Sequence, residues 1–338
     1  MTVTLKVIAD RVGRSVTTVS RALAGYDDVS EETREQIRKV ARELGYEPNT
    51  IARQLQKQRT DTIALLMPPV FPRLSDPFFS ELLSGVIEQA NQQGLDFLVS
   101  HTSAADDPVD IYLKYIRARR VDGFVLIRTM RQDPRIDLLR EKEFPFASFG
   151  RTESNNDFCL IDSDDALGVS FLVKHLVELG HTRLAFIAEP LNLTKAHNRL
   201  QGFLQTLKTH NISVDETMII EGGYRQRFGR AATQQLLERP DPPTAIVTCN
   251  DLLALGAMKA AQEYGLVVGR DISITGFDDI LLSEYAHPPL TTIHLPAHHI
   301  GTMLCRMLIK TINQESVTER QVVIQPDIVI RQSTGAAP

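Results

Sequence analysis

Apolar residues recur at helical spacing three times in the first 46 positions, and from residue 61 onward short apolar runs alternate with longer helical stripes. Leu5, Ile8, Ala9 and Val12 share one side of a helix that Thr4 can cap, and Gly13 and Arg14 break it. The next stretch, "SVTTVSRALAG", contains the β-branched run Val16 to Val19, which local propensity assigns to a strand. Its inward residues Val19, Ala22 and Leu23 nevertheless follow i, i+3, i+4 spacing, and Ser15 can cap it. A second helix after a three-residue turn predicts a helix-turn-helix. Ser30 opens a third helix with Glu31 and Glu32 in its first turn; Ile37, Val40, Ala41 and Leu44 form its stripe, and Gly45 ends it. Pro48 and Asn49 then open a brief helix with Ile51, Ala52 and Leu55 on one face. That face is too small to fold alone and calls for a partner, which an identical helix of a second subunit on DNA would supply.

The body reads differently. "TIALLMP", "LDFLVSH", "GFVLIR", "FPFASFG" and "FCLID" are strands separated by helical segments, the first of which turns Phe79, Leu82, Leu83, Val86 and Ala90 inward. The cycle resumes with helix 165–178, "RLAFIAE", helix 196–210, "TMIIEGG", helix 228–238, "TAIVTC", helix 251–264 and "ISITGFD". Such alternation predicts parallel sheets covered by helices on both faces, and two series predict two similar subdomains. A late helix, 297–313, has Ile300, Leu304, Met307 and Leu308 on one side.

Composition narrows the function. At 338 residues, 43% apolar and 23% charged, the chain is long enough for a large core and reads as globular. No apolar run reaches the roughly 18 residues that span a bilayer, and the N-terminus lacks a secretory pattern, so a cytoplasmic location is expected. Net charge is −5, yet residues 1–60 carry 11 Lys/Arg against 8 Asp/Glu, and the remainder 26 against 34. A basic head on an acidic body suits a head that meets a polyanion. Short hydroxyls and an arginine on the second helix (Thr17, Thr18, Ser20, Arg21) suit a major groove, though an ordinary solvated face would look the same. The cysteines Cys159, Cys249 and Cys305 lie far apart and read as small buried hydrophobes. Adjacent His298 and His299 diverge around a helix, and Asp162, Asp164 and Asp165 read as a solvated loop and helix start, so no metal is expected. No GxGxxG, Walker or GxSxG motif occurs, so neither enzyme activity nor a cofactor is expected.

The opening stretch with "SEETREQIRKVARELGYEPNTIARQLQKQRT" resembles the DNA-binding head and hinge of the LacI/GalR family of bacterial transcription regulators. Further similarity lies in "DPFFSELLSGVIEQA", "RRVDGFVLI", "VELGHTRLAFI", "NRLQGF", "CNDLLALGAMKAA" and "DISITGFDD", so it covers essentially the whole chain. The resemblance implies an all-α helix-turn-helix headpiece, residues 1–46, a hinge helix and linker, 47–60, and a periplasmic-binding-protein-like α/β effector and dimerisation domain, 61–331. It implies that Val16, Thr17 and Arg21 read bases, and that Thr18 and Ser20, with Thr4, contact the DNA backbone. Asn49, Ala52 and Leu55 match the hinge helix, where paired leucines wedge a minor-groove step and kink the operator. Val16 stands where some relatives carry a larger polar residue, so no operator sequence transfers. Subdomain one would comprise 61–160 and 291–320, subdomain two 162–289 and 322–331, with a hinge near Ile161, Leu290 and Gln321 and a tail from 332 to 338. Such a body can close on a ligand in its cleft.

Ligands in parallel α/β folds bind beyond the carboxyl ends of the strands. Asp76 follows the first strand, and the resemblance adds Phe78, Phe79, Arg128 or its neighbour Thr129, Lys195, Arg199, Tyr224, Asn250 and Asp278 as effector positions. A carboxylate, an amide and a guanidinium can bond adjacent sugar hydroxyls, and Phe78 or Tyr224 can cover an apolar ring face. Each has a plainer reading: Asn250 as a helix cap, Asp278 as a turn closer, Phe79 as core. The expected protein is a homodimeric repressor of a carbohydrate operon on a pseudo-palindromic operator, the terminal "QSTGAAP" being too short and polar for a tetramerising zipper. A purine remains an alternative, with Phe78 and Tyr224 sandwiching a flat ring, and Lys195 and Arg128 would also suit a phosphorylated or acidic ligand. A sugar-binding transport protein would share the body but not the basic head.

Overall fold

The computed structural model describes residues 3–24, 26–46, 59–67, 75–101, 107–154 and 156–338. The chain forms two compact units, Met1–Thr60 and Asp61–Pro338. The expected hinge helix, with Asn49, Ala52 and Leu55, lies outside the described residues.

In the first unit, α1 (Leu5–Val12), α2 (Val16–Ala24) and α3 (Glu31–Glu43) enclose a small core. Val19 is fully buried with Ile8, Ala22 and Ile37, so burial outweighs the strand propensity of the run around it. Gly13 ends α1 at φ 66°, a left-handed turn that suits glycine. The caps differ among themselves. Ser15 Oγ accepts the Thr18 N–H at 3.1 Å, as a cap should. Thr4 and Ser30 occupy cap positions without a side-chain cap bond; the Ser30 hydroxyl donates to Thr33 Oγ1 at 2.9 Å instead.

The second unit has two lobes. Lobe one is a parallel sheet of β1 (Thr62–Met67), β2 (Asp96–His101), β3 (Gly123–Ile127), β4 (Phe146–Phe149), β5 (Cys159–Ser163) and β11 (Gln321–Ile324), in the order β11-β5-β4-β3-β1-β2. Helices α4 (Pro77–Gln92), α5 (Pro108–Arg117), α6 (Pro134–Glu141) and α12 (Ala297–Ile312) belong to it. Lobe two is a parallel sheet of β6 (Leu184–Ala188), β7 (Ile219–Glu221), β8 (Ala245–Thr248) and β9 (Ser273–Thr275), in the order β7-β6-β8-β9, with α7 (Asp165–Glu178), α8 (Thr194–Thr209), α9 (Gln226–Leu237), α10 (Asp251–Glu263) and the single turn α11 (Leu281–Glu284). Central strands are buried along their full length, which is why they read as unbroken apolar runs. Helices α4 and α12 cross closely because Gly85 and Gly301 face each other's backbones: a Cβ on either would sit 2.0 Å from a carbonyl oxygen, of His298 or Leu82.

The chain passes between lobes three times, later than expected near Ile161 and Gln321. β5 stays paired in the first sheet through Ser163, and β11 through Ile324. The charge of Asp162 gave no end signal, because Lys195 and Arg151 neutralise it inside the fold. An antiparallel pair, β10 (Thr292–His294) with β12 (Asp327–Val329), carries the second and third crossings. Residues 332–338 are not a loose tail. The fully buried Ser333 hydroxyl donates to the Ile274 carbonyl at 2.6 Å and accepts the Thr291 N–H at 2.8 Å, and Ala337 N–H reaches the Leu179 carbonyl at 2.9 Å. Small hydroxyl residues lying across the end of the lobe-two sheet look polar in sequence, although they satisfy buried backbone groups.

All three cysteines are buried thiols, and burial pushes Cys249 and Cys305 up to about 12. Among the described residues no helix is long and apolar enough to cross a membrane, and no cluster of side chains could hold a metal ion.

Candidate functional site

The carboxyl ends of both sheets face one cavity, which leaves about 90 Å³ for the centre of a water-sized sphere. Every expected effector residue except Tyr224 lines it.

Lobe one supplies Asp76, which caps α4 by accepting the Phe79 N–H at 3.4 Å. Phe78 stacks on Phe149, centroids 5.9 Å apart. Phe79 is 3% exposed and belongs to the core, with only an edge toward the cavity. Arg128 leaves the end of β3 with φ 51°, places Nη2 2.8 Å from Glu189 Oε2, and covers the Tyr224 ring at 5.0 Å. Tyr224 is therefore a backing layer rather than wall. Thr129 is 1% exposed, and its Oγ1 has no hydrogen-bond partner among the described residues.

The loop holding Arg128 and Thr129 is fixed from behind and from across the cleft. Buried Arg135 pairs with Asp133 at 2.6 Å and donates to the Arg128 carbonyl at 3.2 Å, while Asp133 accepts the Met130 N–H at 3.1 Å. Across the cleft, Thr194 N–H donates to the Thr129 carbonyl at 3.0 Å and Arg131 N–H to the Asn192 carbonyl at 2.9 Å, around a Met130–Leu193 antiparallel bridge. This clasp joins the lobes through main chain alone.

An alternating chain of charges runs from lobe two to the end of β5. Lys195 Nζ lies 2.8 Å from Asp162, 2.8 Å from Ser163 Oγ and 3.3 Å from Asp165, and 4.1 Å over the Phe149 ring. Arg199 lies 2.9 Å from Asp165 and 3.6 Å from Asp278, donates to the Cys249 carbonyl, and stacks over Phe277 at 3.7 Å. Asn250 caps α10, accepting the Leu253 N–H at 2.8 Å, and its amide donates to Glu189 Oε1 at 2.5 Å. The plainer reading of Asn250 and its place at the cavity thus hold together. Asp278 adopts φ 110°, an uncommon backbone for a non-glycine residue, held by its N–H to the Ile293 carbonyl at 2.8 Å.

The electrostatics follow from burial. Burial raises the Asp278 carboxyl well above its usual range; Arg199 opposes this, and Asp251, Asp76 and Glu189 add repulsion. Burial also raises Asp76, against the Phe79 amide, with Glu189 adding to it. For Asp162, burial raises the value but Lys195 and Arg151 overcome it and hold the carboxyl low. Glu189 and Phe149 escaped the sequence reading. Glu189 directly follows the strand "RLAFIA", the same signal that singled out Arg128 and Asn250.

On the first unit, Thr4, Val16, Thr17 and Arg21 are exposed, and Thr18 and Ser20 are half-buried. Arg21 pairs with Asp28 at 2.7 Å and lies 4.8 Å over the Tyr26 ring. The Thr18 hydroxyl is 2.8 Å from that of Ser15, engaged in the cap.

A three-helix head and a two-lobed body with a cleft at the strand ends define a regulator with a helix-turn-helix and a periplasmic-binding-protein-like domain. Residues 4–49 match the family described as bacterial regulatory proteins, lacI family, and residues 173–334 a periplasmic binding protein-like domain. The HTH-type transcriptional regulator AglR of Rhizobium meliloti is 33% identical over 342 residues, covering 100% of this chain and 96% of that one. The Lac repressor dimer bound to operator and an anti-inducer superposes with a TM-score of 0.87 at 29% identity, covering 99% and 100%. The complex of the transcriptional regulator CelR with cellobiose gives 0.75 at 30% identity, covering 98% and 99%. The chain belongs to the lacI family: it is a DNA-binding transcriptional regulator and not an enzyme.

Proposed function

We propose that the protein is a homodimeric repressor of carbohydrate-utilisation genes, acting in the cytoplasm and controlled by a sugar or sugar-derived effector in the cleft. The carrying observation is the convergence on one cavity of Asp76, Phe78, Asp278, Asn250 and Thr129, whose hydroxyl has no hydrogen-bond partner among the described residues. The carboxylates and the second lone pair of Asn250 Oδ1 can accept from adjacent sugar hydroxyls, the Thr129 hydroxyl can donate to them, and the aromatic face covers C–H groups. Arg199 holds Asp278, Lys195 is anchored by Asp162 and Asp165 behind the wall, and the remaining expected contacts, Phe79, Arg128 and Tyr224, support that wall. A flat purine has less support, because the Tyr224 ring is already covered by Arg128. Similarity to a regulator solved with cellobiose points the same way.

Each head would place α2 in a major groove, with Val16, Thr17 and Arg21 toward base edges and Thr4, Thr18 and Ser20 toward phosphates. Asn49, Ala52 and Leu55 of two subunits would meet at the operator centre, Leu55 as the wedge. Similarity to the Lac repressor dimer on its operator supports this arrangement. The effector changes the angle between lobes, and linkage requires effector and operator to alter each other's affinity by the same factor.

The test is selection of a preferred inverted repeat from random duplexes, followed by anisotropy titration of that duplex with and without a panel of mono- and disaccharides. A preferred repeat whose affinity one sugar shifts tenfold or so, about 1.4 kcal/mol of coupling, is the expected result. No preference over scrambled DNA, or a shift by purines alone, overturns it.

A further inference from the structure

Cations in a ligand cleft invite an anion, and here each is already answered. Lys195 and Arg199 are bound to Asp162 and Asp165, whose carboxylates lie at most 1% exposed and behind the cavity wall. Arg199 also lies 3.6 Å from Asp278 in the wall, though within its own lobe, whereas Arg128 is paired across the cleft, with Glu189 in the wall itself. From lobe two, Glu189 sends Oε2 to Arg128 of lobe one at 2.8 Å, while Oε1 accepts the Asn250 amide at 2.5 Å. One carboxylate thus engages two donors, one from each lobe, that would otherwise grip an anionic ligand group.

We propose that Glu189 is a specificity-determining residue, a resident anion that reserves the cleft for uncharged polyhydroxyl ligands and shuts out phosphorylated sugars and sugar acids. The proposal rests on reading this cleft as the effector site. A phosphate or carboxylate entering has two options. It can displace Glu189, which leaves that carboxylate unpaired beside Asp76 and Asp278, where burial and mutual repulsion already disfavour charge. Otherwise it binds alongside three acidic groups, against their field. An uncharged polyol meets neither obstacle. Its hydroxyls donate to Asp76 and Asp278 and accept from the Thr129 hydroxyl. Specificity then comes from an added repulsive element as much as from attraction.

The experiment uses the full chain in isothermal titration and thermal-shift assays against matched sets: a neutral sugar, its 6-phosphate and its uronic acid, drawn from common mono- and disaccharides. The wild type is expected to bind the neutral member of a set at least about a hundredfold more tightly than its charged relatives, a ratio equivalent to two tenfold steps in Kd. E189Q, nearly the same shape, removes the negative charge facing Arg128, and the neutral-to-anionic ratio should shrink by about tenfold or more. Adding R128Q to E189Q should cancel that gain, which ties it to the Arg128 guanidinium rather than to a loosened fold. A wild type that prefers a phosphate or uronate overturns the inference while leaving the effector reading intact. An unmoved ratio in a folded E189Q also overturns it. Binding of no sugar of any charge removes the effector reading, and this inference with it.

Discussion

Replacing Arg199 by alanine removes the cation shared by buried Asp165 and by Asp278, whose side chain is 15% exposed. Its guanidinium lies 2.9 Å from Asp165 and 3.6 Å from Asp278. Asp165 retains Lys195 at 3.3 Å and the Ser163 hydroxyl at 3.1 Å, whereas Asp278 has no second ion pair among the described residues. Removing one partner of a buried pair costs about 3–5 kcal/mol, because the stranded charge stays in a poor solvent. At roughly 2–4 °C per kcal/mol for a domain of this size, the apparent Tm of the body should fall by on the order of 10 °C. The loss has a pH signature. Burial already raises Asp278 and Arg199 opposes it, so without Arg199 its folded value climbs further. A carboxyl whose folded pKa exceeds its unfolded one contributes stability at low pH and loses it as pH rises through the folded value. The gap between wild type and R199A should therefore be smaller at acid pH and widen as pH rises. Scanning calorimetry of both proteins across a range of pH decides it. A gap of constant size would mean that the variant merely leaves a cavity, and the charge argument would fail. The same variant should lose the effector's influence on operator binding.

Three further outcomes are expected. Burial raises Asp251 to about 7, against hydrogen bonds from Thr292, Ser283 and the Ile280 amide; D251N should gain on wild type as pH climbs, by up to about 4 kcal/mol above pH 7, and parallel stability curves would refute this. G301A should cost on the order of 3 kcal/mol in urea unfolding, since its Cβ would meet the Leu82 carbonyl at 2.0 Å; an unchanged midpoint would show that the helices separate freely. R21A should weaken binding to the selected operator by about 1–3 kcal/mol with little change in Tm, because the Arg21–Asp28 pair is exposed. Equal weakening on scrambled DNA would make Arg21 a phosphate contact.

Much of this was legible from residue pattern. The head core of Ile8, Val19, Ala22, Ile37 and Ala41 follows helical spacing, and the structure buries all of them. The strand-end rule picks out Arg128, Asn250 and Asp278, and all three line one cavity. What escaped depends on distant partners. Asp162 looks solvated until Lys195, 33 positions later, is seen to neutralise it. Ser333 looks like tail until the lobe-two backbone is seen to need its hydroxyl. Glu189 was passed over because a lone acid after a strand looks like surface, and only folding brings Arg128 and Asn250 to it. Tyr224 was placed one layer too far forward, since nothing local reveals the guanidinium over its ring.

The main-chain clasp between residues 129–131 and 192–194 separates two tasks that side chains usually share. Holding the halves of the body together at that point does not depend on which side chains face the ligand. The recognition surface can therefore drift, or be redesigned, while the moving parts keep their geometry. A binding face exchanged for another would still work the same lever, which is how one framework comes to answer to many different molecules.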